Sequence, residues 1–357
     1  MVASEMLLPW DLVEEILSWV PVKSLIRFRT FCKRWKALFE EKRFAKNQLA
    51  RASRPQFILS SESMICSVDV ILDGCPLIEV CKVPVDITGY RHSEGFSVNF
   101  CDGLLLCAVP SQGLAVRNPW LKQARWINMT ERTYFNGIGY KIFASPGLTG
   151  KAWISEFGSS AWKSHELVSE DFMFRDYSVS LNGTLYWIAR NFMSREYVIT
   201  SFDFSTEKFN EIFCVLPDKS IKTLDSRSLE VFRRDRFSYL HQCYETKNIE
   251  IWVTKKKIEN KDGESVEWMM FMNVSVPYSS DLRCMSLFYQ RSYFIDEKTL
   301  SLVLCCEDYN GNICIYIVKG QSKRIQIEAV AKNHCLHRTY FPSLVQVPSY
   351  QRQGEEI

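Results

Sequence analysis

A chain of 357 residues with 46% hydrophobic and 24% charged side chains has the balance of a folded globular protein, which excludes a disordered or fibrous chain. No run of about 18 apolar residues occurs, and the first eight residues hold no Lys or Arg, so neither a membrane-spanning helix nor a signal peptide is read. The net charge of +3 hides an asymmetry: residues 21–54 carry +9, residues 1–20 carry −4 and residues 55–357 carry −2. Thirteen cysteines, an odd number scattered from Cys32 to Cys335, are expected to be reduced and mostly buried. The chain is therefore expected in the cytoplasm or nucleus, with the sequons at Asn128, Asn182 and Asn273 read as polar residues in turns rather than glycan sites.

The first predicted element follows Leu8-Pro9. Leu12, Val13, Ile16, Leu17 and Val20 recur at helical spacing, with acidic Asp11, Glu14 and Glu15 near the positive end and Pro21 as the stop. A second pattern, Leu25, Phe28, Cys32, Trp35 and Phe39, steps by three and four with basic residues between, so two or three short helices are expected. A unit of about 45 residues buries a small fraction of its surface. This one carries more apolar side chains than one small helical core can enclose, so some must face another protein or the downstream domain. The cluster of basic charge also admits a DNA-binding helix-turn-helix. Basic residues on several faces, and Pro21 in place of a short Gly-containing turn, weigh against it.

The string Leu8-Pro9-x-Asp11-Leu12-x-x-Glu15-Ile16-Leu17-x-x-Val20-Pro21-x-x-Ser24-Leu25-x-Arg27-Phe28-Arg29-x-x-Cys32-Lys33-x-Trp35 resembles the F-box. The resemblance implies docking to a Skp-type adaptor and, through it, to a cullin and a ring-finger subunit. Carried over, Leu8, Pro9, Leu12, Ile16, Leu17, Pro21, Val22, Leu25, Phe28 and Trp35 are divided between that interface and the module's own core. Trp19, where many plant members have Arg, and Phe31, where Val is common, depart from the pattern.

Beyond Arg54-Pro55 the periodicity changes to alternation with closely spaced turns, the mark of a mostly β domain. Cys101-Asp102-Gly103-Leu104, Gly137-Ile138-Gly139-Tyr140 and Leu181-Asn182-Gly183-Thr184 mark units with a period of about 40 residues, and Leu229 to Phe232 and Ser292 to Asp296 fit two more, which suits a β-propeller of six candidate blades. A sandwich or two smaller β domains are the alternatives. These phrases, with Arg117-Asn118-Pro119, Ile249-Glu250-Ile251-Trp252 and Pro342-Ser343-Leu344-Val345, also resemble the F-box-associated domain of plant F-box proteins, which is related to the kelch type; Arg117 stands where Trp is frequent. The expected organisation is a helical module over residues 1–50, a propeller-like substrate-recruiting domain over residues 51–350, and a tail over residues 351–357. A propeller must close, so residues 340–347 are expected beside the strand near Phe57.

No P-loop, dinucleotide fingerprint, HExxH, CxxC or Gly-x-Ser-x-Gly occurs, so no catalytic role, cofactor or metal is expected. His334-Cys335-x-His337 lacks a fourth ligand at a familiar spacing. Ten tryptophans and fifteen tyrosines admit a lectin-like sugar-binding reading beside the simpler one of core packing. The expected partners are the adaptor and an unknown protein substrate, with no nucleic acid and no membrane. Three polar insertions, residues 190–196, 218–228 and 255–267, are the candidate substrate loops.

Overall fold

The computed structural model describes residues 8–51, 54–61, 64–83, 97–101, 103–109, 113–127, 134–138, 141–145, 151–156, 163–166, 172–218, 220, 222–259, 266–275, 291–308, 310–319, 321–328 and 335–347. The helical module holds α1 (Trp10–Ser18), α2 (Val22–Phe28), α3 (Lys33–Glu40) and α4 (Lys42–Arg51). Proline starts the first two. The Pro9 carbonyl accepts from the N–H groups of Leu12 and Val13, and the Pro21 carbonyl from those of Ser24 and Leu25. Helix α1 stops two residues before the expected Val20, because Trp19 and Val20 donate back three residues, to Ile16 and Leu17. Cys32 caps α3, its sulfur accepting from the Trp35 N–H at 3.3 Å.

The described residues beyond the helices form strands and their connections. The first sheet holds β1 (Gln56–Ser61), β2 (Met64–Ile71) and β3 (Leu77–Val83). The second holds β4 (Ser97–Cys101), β5 (Leu104–Val109), β6 (Gly113–Asn118) and β7 (Gln123–Ile127). The third holds β8 (Tyr134–Ile138), β9 (Lys141–Ser145), β10 (Lys151–Glu156) and β11 (Lys163–Glu166). The fourth holds β12 (Phe172–Leu181), β13 (Thr184–Asn191), β14 (Tyr197–Asp203) and β15 (Lys208–Val215). The fifth holds β16 (Ser226–Phe232), β17 (Arg236–Gln242), β18 (Asn248–Thr254) and β19 (Trp268–Ser275). The sixth holds β20 (Ser292–Asp296), β21 (Ser301–Glu307), β22 (Ile313–Lys319) and β23 (Gln321–Ile327). The last strand, β24 (Leu336–Tyr340), returns to complete the first sheet in the order β24-β1-β2-β3.

Each of these six antiparallel sheets has four strands, and β24, β4, β8, β12, β16 and β20 touch one another in that cyclic order. The fold is a β-propeller: these strands line the axis, and the sheets pack face to face around it. Apolar residues from neighbouring sheets fill the seams, as where Leu240 and Ile251 of the fifth sheet meet Leu304 and Tyr316 of the sixth. The ring closes through Gln56↔Tyr340, Phe57↔Thr339 and Leu59↔His337. Of the residues expected to close the ring only Tyr340 does so; the rest of the closing strand lies before it. Pro342 offers no N–H to a ladder, and residues 341–347 leave the sheet to cross the second one.

Local chemistry sets the hairpins. Asn182 and Gly183 both have positive φ, 52° and 81°, and join β12 to β13 with Leu181 paired to Thr184, the two-residue turn that suits strand twist. Of the three sequons, Asn182 is in this turn, Asn273 instead sits exposed within β19, and Asn128 lies outside the described residues. Among the tryptophans whose burial is described only Trp19 is exposed.

Candidate functional site

Helix α1 presents two apolar stripes, and they have different fates. Val13 and Leu17 face inward, Leu17 into a core shared with Val22, Leu25, Leu38, Phe39 and Phe44. Leu8, Leu12, Ile16 and Trp19, offset by one position, point outward, and with Phe31 they leave between 50% and 74% of their surface open. Of the ten residues expected to dock or pack, Leu8, Pro9, Leu12, Ile16 and Pro21 are exposed, Leu17, Val22 and Leu25 are buried, and Phe28 and Trp35 are half-buried. Phe28 and Trp35 belong to an aromatic series from surface to core: Phe31 on Phe28 (5.8 Å), Phe28 on Trp35 (5.7 Å), Trp35 on Phe39 (6.5 Å) and Phe39 on Phe44 (5.4 Å).

The basic charge of this module is largely spoken for. Lys23, Arg29, Arg43, Arg51 and Arg54 pair with Glu79, Glu40, Glu14, Glu15 and Asp73, and Arg34 lies over the Trp10 ring at 3.6 Å. A hydrogen bond from Arg51 holds the Glu15 carboxyl below its usual range. These pairs tie α1 to α4 and the module to the first sheet and its loop.

The phrases spread along the sequence converge where the helices meet the propeller. Asn118 is fully buried; its Nδ2 donates to the carbonyls of Ser343 (2.9 Å) and Val345 (2.8 Å), and its Oδ1 accepts from the N–H groups of Trp120 (3.0 Å) and Leu121 (3.2 Å). Gly103, at φ +78°, lies so close to the same segment that a Cβ there would overlap Ser343 Oγ, and its carbonyl accepts from Tyr340 and Ser343 at 3.1 Å each. So clamped, the segment carries Leu344 into the helical core, where Trp120 and Leu121 join it. No sequence signal separates Asn118 or Gly103 from an ordinary turn residue; their roles depend on a segment more than 220 positions away.

Antiparallel strands deliver their connections to alternate ends, so the ring has a proximal face, bearing the helices, and a distal face. The turns at 103, 120–122, 182–183 and 233–235 are proximal, and Arg234 reaches the Arg51 carbonyl at 2.9 Å. Residues 192–196 and 243–247 and the described parts of 216–225 and 308–312 are distal. The three candidate substrate loops therefore do not share a face. Residues 190–196 and the described parts of 218–228 reach the distal side, whereas the described parts of 255–267 lie on the proximal side, with Lys255 paired to Glu267. Residues 218–228 are also not a free loop. The fully buried Arg227 guanidinium donates to Asp218 Oδ2 from Nε (3.0 Å) and Nη2 (2.7 Å) and to the Ser220 carbonyl (2.7 Å), and lies over the Tyr197 ring at 3.8 Å. Burial alone would raise the Asp225 carboxyl, but hydrogen bonds from Ser220, the Tyr244 N–H and His241 hold it below the usual range.

No group of three or more His, Cys, Asp or Glu able to hold a metal occurs among the described residues. His334 lies outside them; Cys335 and His337 are buried at the ring closure, where His337 Nδ1 lies 3.0 Å from Ser292 Oγ.

A four-helix module with an open apolar stripe, clamped to one face of a β-propeller, defines a class of two-part interaction proteins. The comparisons make the class specific. The model of the F-box domain matches residues 6–47, and that of the F-box associated beta propeller domain matches residues 56–347. This chain belongs to the plant F-box proteins with a C-terminal F-box-associated domain. It is 48% identical over 369 residues to a jacalin-related lectin of Arabidopsis thaliana, covering 98% of this chain and 70% of that one. To an F-box/kelch-repeat protein of the same plant it is 42% identical over 371 residues, covering 96% and 99%. Among solved structures, the SapL1 lectin in complex with alpha methyl fucoside overlaps 67% of this chain and 82% of its own at 10% identity, with a TM-score of 0.38, a likeness too low to inform the site.

Proposed function

We propose that this chain is a substrate-recognition subunit of a Skp-cullin-F-box ubiquitin ligase, without catalytic groups of its own. The helical module, within residues 1–50, holds a Skp-type adaptor and through it a cullin and a ring-finger subunit; residues 51–350 recruit a protein substrate in the cytoplasm or nucleus. The observation that carries this reading is the open stripe of Leu8, Leu12 and Ile16 on a helix whose other stripe is already buried, since apolar side chains aligned in the open mark a surface awaiting a partner. The substrate is assigned to the distal face. That side lies opposite the adaptor and exposes Phe192, Met193 and Leu224 among charged Arg195, Glu196 and Lys222.

The test is co-purification. Leu8→Asp with Ile16→Asp should abolish adaptor capture while the melting temperature stays within a degree or so of wild type, because both side chains are exposed. Undiminished capture by the double variant would reject the docking assignment. In parallel, a Gly-Ser replacement of residues 192–196 should leave adaptor capture intact and weaken recovery of substrates under proteasome inhibition; unchanged recovery would move the substrate site elsewhere.

A further inference from the structure

Two buried arginines in the propeller are treated in opposite ways. Arg227 is saturated by Asp218 and three carbonyls. Arg291, just before β20, is 4% exposed, yet among the described residues neither Nη1 nor Nη2 finds a hydrogen-bond partner and no carboxylate pairs with it. Its backbone is well held: Ser228 Oγ donates to the Arg291 carbonyl at 2.7 Å, and Ser292 Oγ to the His337 carbonyl at 2.7 Å. These bonds tie together the starts of β16, β20 and β24 at the distal end of the ring.

Alternation along β20 sets the side chain's direction. Tyr293 packs with Leu240, Leu304 and Cys306 in the seam between the fifth and sixth sheets, and the same alternation continued one residue before β20 turns Arg291 toward the distal end of that seam. Ser292 pairs with Cys305, so the register brings Arg291 level with Cys306, whose thiol burial pushes up to about 12 against the opposing charge of Arg291. The described acids at the distal end of β21 are engaged elsewhere: Asp308 accepts from Arg324 (2.7 Å) and the Asn310 and Asn312 N–H groups, and Glu307 accepts from the Cys335 N–H (3.0 Å). A guanidinium cannot shed its proton, and enclosing one without a partner is among the most costly things a fold can do.

We propose that Arg291 forms the base of an anion site at the distal end of the seam between the fifth and sixth sheets, which takes one compact oxyanion, a phosphate or carboxylate group, in a two-pronged hydrogen bond. The planar fork of donors matches two oxygens of such a group. The group is either a free ion or the tip of a substrate side chain, and the site stands whether or not the distal face proves to be the substrate surface.

The experiment is a thermal melt of the full chain in inorganic phosphate against chloride of equal ionic strength. About 10 mM phosphate should raise the midpoint of the wild type by roughly 2 °C or more. Arg291→Met should lose that rise and, without phosphate, melt at or above the wild type because the unpaired charge is gone. Arg291→Lys, which keeps the charge without the fork, should show a smaller rise; it also serves if the Met variant fails to fold. Native mass spectrometry should detect the bound anion in the wild type and not in Arg291→Met. A phosphoserine peptide that displaces phosphate assigns the group to a substrate side chain, and phosphate binding without such displacement assigns it to a free ion. No rise with phosphate, acetate or citrate, or an equal rise in Arg291→Met, overturns the site.

Discussion

Gly103 and Asn118 show how single residues decide whether the two halves of the molecule act as one body. Any Cβ at position 103 meets Ser343, and the positive φ adds backbone strain for every other L-residue. Gly103→Ala should therefore cost about 2 kcal/mol or more in urea unfolding and expose the segment around Leu344 to protease; an unchanged midpoint would show that this seam has room. Another single-residue effect concerns pH. Glu230 of β16 accepts a hydrogen bond from Thr339 of β24 at 2.9 Å, and burial pushes its carboxyl up to about 8 from an ordinary 4.5. Its folded pKa is raised, so its stabilising share is whole below about pH 4.5 and drains away as pH rises toward 8. Glu230→Gln, which mimics the neutral acid, should match wild type near pH 4.5 and become progressively more stable than it up to about pH 8, read as a widening gap between melting midpoints. His337 sets the opposite limb. Burial, aided by Arg291, lowers its pKa to about 4, so its contribution is present above about pH 6.5 and is lost as pH falls toward 4.

Helix α1 carries two stripes because its apolar residues come in adjacent pairs, Leu12 with Val13 and Ile16 with Leu17, and a helix sends the members of each pair about 100° apart. The spacing is equally good for either stripe, so only the position of α4, bound through Glu14 and Glu15, decides which one is covered. Trp35 on α3 is half-buried between Phe28 and Phe39 rather than enclosed. Trp35→Ala should consequently cost about 1–3 kcal/mol, less than a fully buried ring. Added adaptor should restore part of it by mass action; a loss that saturating adaptor leaves untouched would place the ring outside the folded docking surface. An isolated helical module also lacks Leu344, Trp120 and Leu121, so it is less stable than the same module on the propeller.

For the molecule as a whole, closure is the controlling event. The first sheet takes three strands from one end of the domain and its innermost from the other, so pairing Phe57 with Thr339 requires the whole ring to be in place. Removing everything after residue 330 deletes β24, exposes the edge of β1 and strips the carbonyl partners from the Asn118 amide. That truncation should aggregate and lose its cooperative melt; a soluble, cooperatively melting product would mean that closure adds little. Replacing residues 218–228 should likewise unfold rather than merely blunt the protein, because Arg227, Asp218 and Asp225 are interior groups and not a loop surface.

The local chemistry of this protein is legible in its residues: prolines that start helices, apolar spacing that makes them amphipathic, Asn-Gly turns that set hairpins, and a repeat that sheets can stack. Those are short-range effects, decided within a few residues by sterics and hydrogen bonding. What depends on the tertiary structure is everything settled by segments far apart in sequence. Which stripe of α1 stays open, why Gly103 and Asn118 matter, which loops share a face, and that Arg227 is satisfied while Arg291 is not all follow from packing between elements, and packing has no fixed sequence interval by which to announce itself.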